Sequence, residues 1–237
     1  MSAVAGEGPR VGAGRPGRGG GFAVWLAIAC CLLFVVVTVL VLTRATQAVD
    51  ESVFHRLRPG DAWNEPQVRW SPWMTRLRPE RMYLVLGATS LVVSLWRRSW
   101  WPAVLALVLA VVSGALALGT KAALHRPDPH GFVTDTGGAF PSGHTIALVV
   151  CLGGCLLVVS PRVRWWMWIP VVVAGALLTT SLLVSGAHWA TDVLGGALVG
   201  VALLAVGSRT ALRRRAHHPH PVTGRDARRG VGAVNDL

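Results

Sequence analysis

The chain has 237 residues, 52% of them hydrophobic and only 14% charged, with a formal net charge of +12. That balance excludes an ordinary soluble domain. The four cysteines, Cys30, Cys31, Cys151 and Cys155, all lie in apolar runs, which argues against a disulfide framework.

Residues 1–21 are glycine-rich and carry Arg10, Arg15 and Arg18, so a disordered basic tail is expected. The apolar run that follows is too long for a signal-peptide core and lacks a small-residue cleavage site, so it reads as a retained span. Six spans are predicted, at 22–43, 82–97, 101–121, 142–160, 166–186 and 189–208. Lipid offers backbone groups no partner, so each should be a helix. The second span is short, and Arg81, Arg97 and Arg98 extend its ends by reaching to the interface. The expected fold class is an all-α, integral-membrane six-helix bundle over residues 22–208.

Residues 44–81 form a first outer loop. Val53, Phe54 and Leu57 mark a short helix after Asp50, and Trp63, Trp70 and Trp73 alternate with charges and prolines. One or two helices lying in the headgroup region are expected there. Residues 122–141 form a second outer loop rich in Pro, Gly and Asp. Residues 209–237 are expected to be a disordered basic tail, with His217, His218 and His220 solvated rather than metal-binding. Trp96, Trp100, Trp101, Trp165, Trp166, Trp168 and Trp189 fall at span ends as an aromatic belt. Cys151 and Cys155 share a helix face and read as packing residues rather than metal ligands. Gly196 and Gly200 are four apart, a spacing that favours close helix packing, with a homodimer contact as the alternative.

Fourteen of the 23 basic residues fall on the side that holds both tails and the short loops at Arg97–Arg98 and Arg162–Arg164. Both termini are therefore expected in the cytoplasm, in a plasma membrane, with the two longer loops outside. The run Arg213, Arg214, Arg215 directly follows a span. It reads as an orientation signal and a contact for anionic headgroups, not as a nucleic-acid site. The preference for arginine over lysine and the Ala, Gly and Val richness resemble those of a GC-rich bacterial genome.

Three polar motifs share the outer side. Lys121, the chain's single lysine, ends the third span. A compact ammonium on a flexible stem suits a phosphate oxygen. Pro141, Ser142, Gly143 and His144 open the fourth span. Serine is a good cap, glycine permits close approach to the backbone, and first-turn amides bind anions. His144 is then placed to donate a proton to a leaving oxygen. His188 and Asp192, four apart, are expected on one helix face at the start of the sixth span. A carboxylate that accepts one imidazole N–H leaves the other nitrogen as a nucleophile. These are parts for phosphoryl transfer at a membrane surface.

These motifs resemble those of the phosphatidic acid phosphatase type 2 family, which shares its core with the vanadium haloperoxidases. The family pattern is Lys-x6-Arg-Pro, then Pro-Ser-Gly-His, then Ser-Arg-x5-His-x3-Asp, and the resemblance covers roughly residues 50–205. Lys121, Pro129, Pro141–His144, Ser181, His188 and Asp192 fall in register. Asp128 and Leu182 stand where the family has arginines, and Arg126 is the nearby candidate to substitute. The resemblance implies a metal-independent hydrolase of lipid phosphomonoesters or diphosphates, of the phosphatidate, phosphatidylglycerophosphate or polyprenyl type, with no cofactor. It implies that His188 forms a phosphohistidine, Asp192 orients it and His144 acts as acid. Lys121, Arg126, Ser142 and Gly143 then hold the phosphate. The two missing arginines motivate the alternative of a non-catalytic or altered-specificity member that binds lipid phosphates. They also lead to the expectation that Leu182→Arg with Asp128→Arg would lower KM or raise turnover.

Overall fold

A computed structural model describes residues 19–133 and 137–217. Most of both expected tails, at 1–18 and 218–237, lies outside the described residues. Among the described residues there are nine α-helices and no strand: α1 (Gly19–Leu42), α2 (Gln47–Leu57), α3 (Glu65–Arg76), α4 (Pro79–Trp96), α5 (Trp101–Leu124), α6 (Gly143–Val159), α7 (Ile169–Val184), α8 (Ala190–Gly207) and α9 (Ala211–His217). Short 3-10 turns at Pro59–Asp61 and Trp165–Trp168 precede α3 and α7.

The fold is all-α, and its long helices are apolar on nearly every face, as lipid-embedded helices must be. Four segments are long and apolar enough to cross a membrane: Gly21–Leu42, Trp101–Leu124, Trp165–Val184 and Ala190–Gly207. The apolar helix Gly143–Val159 is shorter. In α4 the first turn is polar, with Glu80 and Arg81. The first outer loop holds α2 and α3, two helices as expected, and α3 packs along α7.

Helix α6 is the hub, packed against α4, α5, α7 and α8, while α1 lies along α8. Glycines on α8 allow close approaches to its neighbours. A Cβ on Gly196 would stand 2.7 Å from the Ser142 carbonyl, and one on Gly200 2.8 Å from Val149. The Gly196/Gly200 pair therefore faces α6 within this chain. Gly195 meets the fully buried Phe140 ring, which also stacks on Phe34 of α1 at 5.7 Å. This anchors the segment leading into α6.

Two local features depart from the sequence reading. Residues 211–217 form a helix packed under α5 and α6 rather than a free tail. His217 is not solvated: its Nε2 lies 2.8 Å from the Leu157 carbonyl and its Nδ1 3.0 Å from Arg97 Nη1. Its neighbours Arg215 and Arg213 are also engaged, Arg215 over the Trp101 ring at 4.6 Å and Arg213 with the Pro161 carbonyl. These long-range partners override a composition that, read alone, predicts disorder.

Candidate active site

The C-terminal end of α5, the N-terminal end of α6 and the α7–α8 turn meet at one end of the bundle. A close backbone approach makes this possible. Gly137 has φ of 101°, and a Cβ there would lie 2.8 Å from the Lys121 carbonyl carbon. A Cβ on Gly138 would overlap the Arg126 backbone nitrogen. With no side chains in the way, Gly138 N–H donates to the Lys121 carbonyl at 3.2 Å and Ala139 N–H to the Arg126 carbonyl at 2.6 Å. The chain then passes through a cis Phe140–Pro141 bond into α6.

Lys121 Nζ donates to the Gly138 carbonyl at 2.6 Å, and its Cε lies 3.7 Å from where a Gly143 Cβ would be. The ammonium is thus held beside the first turn of α6. The Gly143 and His144 amides there have no carbonyl one turn back to accept them, which leaves them for an anion. Ser142 caps the helix: its Oγ accepts the Thr145 N–H at 3.4 Å. Its own N–H donates to the Asp192 carbonyl at 2.9 Å, a direct link between the second and third motifs.

His188 lies in the turn before α8 rather than on the helix, and Asp192 is in the first helical turn. They still meet, with Nδ1 3.4 Å from Oδ2. The same Oδ2 accepts the Trp189 N–H at 2.9 Å, so the carboxylate is fixed by the helix start itself. The His188 and His144 rings face each other edge to face, centroids 6.2 Å apart.

Lys121, Gly143, His144 and His188 line a cavity of about 530 Å³. Glu80 and Asp128 also line it, and its wall continues along Tyr83, Gly114, Ala117 and Leu118, between α4 and α5. Ser142 is fully buried and is not among the lining residues.

Arg126 is not among them either. Its Nη1 donates to Asp192 Oδ1 at 2.6 Å and to Thr191 Oγ1 at 2.8 Å, and its Nη2 to Asp50 Oδ2 at 2.7 Å. The Trp189 ring lies under its guanidinium at 5.6 Å, and Trp189 Nε1 donates to the Pro127 carbonyl. Trp189 therefore supports the site instead of serving only in an aromatic belt.

The two departures from the family pattern have local explanations. Asp128 Oδ1 accepts the N–H groups of His130 and Phe132, both at 2.9 Å, and so closes its own turn. Leu182 is fully buried with Leu148, Leu178 and Val193. The neighbouring Ser181 Oγ accepts the Met74 N–H from α3 at 2.9 Å.

Sequence reasoning missed three supporting residues. Asp50, 1% exposed, comes in from α2. Arg58 Nη1 donates to the Ser185 carbonyl at 2.8 Å, bracing the turn before His188. Asp61 Oδ1 lies 2.8 Å from Arg58 Nε and 3.2 Å from His130 Nε2. Only Asp50 carried a usable signal, as an acidic residue just before an expected helix.

The model of the PAP2 superfamily matches residues 22–216, and the chain belongs to that superfamily. It shares its fold with the crystal structure of the first transmembrane PAP2 type phosphatidylglycerolphosphate phosphatase from Bacillus subtilis. The TM-score is 0.68 at 17% identity, over 84% of this chain and 100% of that one. A search of curated proteins finds no match. The chain is thus a membrane protein with the PAP2 phosphatase fold.

Proposed function

We propose that this protein is a lipid-phosphate phosphatase that passes the phosphoryl group through His188. The observation that carries the reading is the cavity itself. Its polar end gathers Lys121, the α6 amides, His144 and His188, and its wall continues between α4 and α5 along apolar residues. A phosphate with an apolar tail fits such a shape.

Nδ1 of His188 faces Asp192, so Nε2 is the free nucleophile. It attacks phosphorus while the bond to the lipid oxygen breaks, and His144 gives that oxygen a proton. Water then attacks the phosphohistidine, His144 takes a proton from it, and the P–N bond breaks to release inorganic phosphate. Lys121 and the Gly143 amide hold the non-bridging oxygens, and neither step calls for a metal. The topology proposed with it is a six-span bundle with the site outside and both termini in the cytoplasm.

The test is phosphate release from purified protein given a phosphatidate, a phosphatidylglycerophosphate and a polyprenyl diphosphate, with His188→Ala as control. Turnover that depends on His188 is expected. A second reading, lipid-phosphate binding without turnover, draws on Asp128 and Leu182, which stand where the family pattern has arginines. Binding without turnover, indifferent to His188→Ala, would favour it.

A further inference from the structure

We propose that Asp50 and Arg126 are positioning residues that set the charge Asp192 presents to His188. The inference rests on the phosphatase reading and assigns Arg126 a role other than holding phosphate. Three segments distant in sequence build one chain: Asp50, Arg126 and Asp192, alternating in charge and ending at His188. Asp50 and Asp192 are 1% and 0% exposed. Every oxygen of the two carboxylates is engaged. Asp50 Oδ1 accepts the Thr191 N–H at 3.0 Å, and Oδ2 accepts the Thr191 hydroxyl at 2.6 Å and Arg126. Asp192 Oδ1 takes Arg126 at 2.6 Å, and Oδ2 takes Trp189 N–H and, at longer range, His188.

The charges explain the arrangement. A buried carboxylate beside one imidazole favours the imidazolium, which has no lone pair to attack with. Arg126, bonded to the opposite oxygen, draws on that charge and opposes this effect. Arg126 alone would neutralise Asp192 fully and leave the phosphorylated ring unsupported. Asp50 on the far side of the guanidinium restores part of the negative charge. His188 also faces His144 of α6, Lys121 of α5, and Glu80 and Asp128 around the cavity. Arg58 and His130 lie behind it, against Gly186. None of these changes in the variants below.

The sign of each effect is fixed. Removing the Asp50 charge disfavours the imidazolium, so the acidic limb of kcat/KM moves to lower pH. Removing the Arg126 charge favours the imidazolium, so that limb moves to higher pH. Shifts of about 1 unit are expected. A residue with a purely structural role would not give opposite shifts. An Arg126 that held phosphate would raise KM and leave the limb in place.

The experiment compares full-length wild type, Asp50→Asn and Arg126→Gln in detergent on dioctanoyl phosphatidate across pH. In parallel, carbethoxylation of His188 by diethyl pyrocarbonate is mapped by peptide mass spectrometry across pH, a readout that needs no turnover. Opposite shifts in both readouts support the clamp. Unmoved or same-direction midpoints overturn it. If either variant does not fold, Asp50→Glu and Arg126→Lys keep each charge in altered geometry: the Asp50→Glu midpoint should lie at or slightly below wild type and the Arg126→Lys midpoint at or slightly above it, and displacement the other way overturns the proposal. An inactive wild type, or an active His188→Ala, refutes the phosphatase reading, whereas the carbethoxylation midpoints still decide the clamp.

Discussion

Leu182→Arg puts an arginine back where the family pattern has one, and from sequence alone it should improve phosphate binding. The structure reverses that expectation. Leu182 is 0% exposed and packs on Leu148, Leu178 and Val193. Losing its contacts costs about 2 kcal/mol. A guanidinium without a partner in the same place costs about 3–5 kcal/mol more. The sum, about 5–7 kcal/mol, is comparable with the whole stability of many domains, about 5–15 kcal/mol. The variant should therefore lose folded yield or thermal stability with no gain in activity. Asp128→Arg loses only an acceptor for two backbone amides, at about 1 kcal/mol each, and places a cation on the cavity wall. It should fold and lower KM. Fluorescence-detected size exclusion after heating, with KM on a short-chain phosphatidate, measures both. A stable Leu182→Arg with a lower KM would show that a side chain at 182 reaches the phosphate, and would refute the packing described for α7.

Further predictions concern the assembly and chemistry of the site. Gly138→Ala forces a Cβ onto the Arg126 backbone and should abolish activity, whereas Gly119→Ala, with nothing within 4 Å of its Cβ, should be tolerated; melting temperature and turnover of the pair measure this. Lys121→Met removes one charge-assisted contact and should raise KM about 10- to 100-fold, read from initial rates. His144→Gln should lower kcat/KM by about 10²- to 10⁴-fold on a lipid phosphate, and far less on p-nitrophenyl phosphate, whose leaving group needs no proton in the phosphorylation step. Gly114→Phe should obstruct the opening between α4 and α5. It should raise KM for a long-chain lipid while leaving a short-chain analogue unaffected.

What was legible in the sequence was what local pattern records. Charge-free runs marked the long helices, and a cap followed by glycine marked the start of α6. The spacing of His188 and Asp192 marked a pair that the structure brings to 3.4 Å, although His188 precedes the helix instead of lying on it. Lys121 stood out because it is the only lysine. What was not legible depends on contacts between distant segments. Asp50 and Thr191 are 141 residues apart, and Arg126 and Asp50 are 76 apart, with no periodicity to connect them. Arg126 read as a phosphate ligand because its position in the motif shows charge but not direction, and the direction is set by two buried carboxylates. Gly137 and Gly138 read as generic loop residues, because only the folded backbone shows that a Cβ there meets residues 121–126. The packing of α9 was hidden for the same reason, since its partners Arg97 and Leu157 lie just after α4 and on α6.

The central claim is that His188 carries the phosphoryl group. Rapid acid-free quenching of the protein during turnover of a ³²P-labelled lipid phosphate, followed by peptide mapping, tests it most directly. An acid-labile, base-stable label is expected on the peptide containing His188, lost in His188→Ala together with turnover. Turnover that persists in His188→Ala, or a label on another residue, would contradict it.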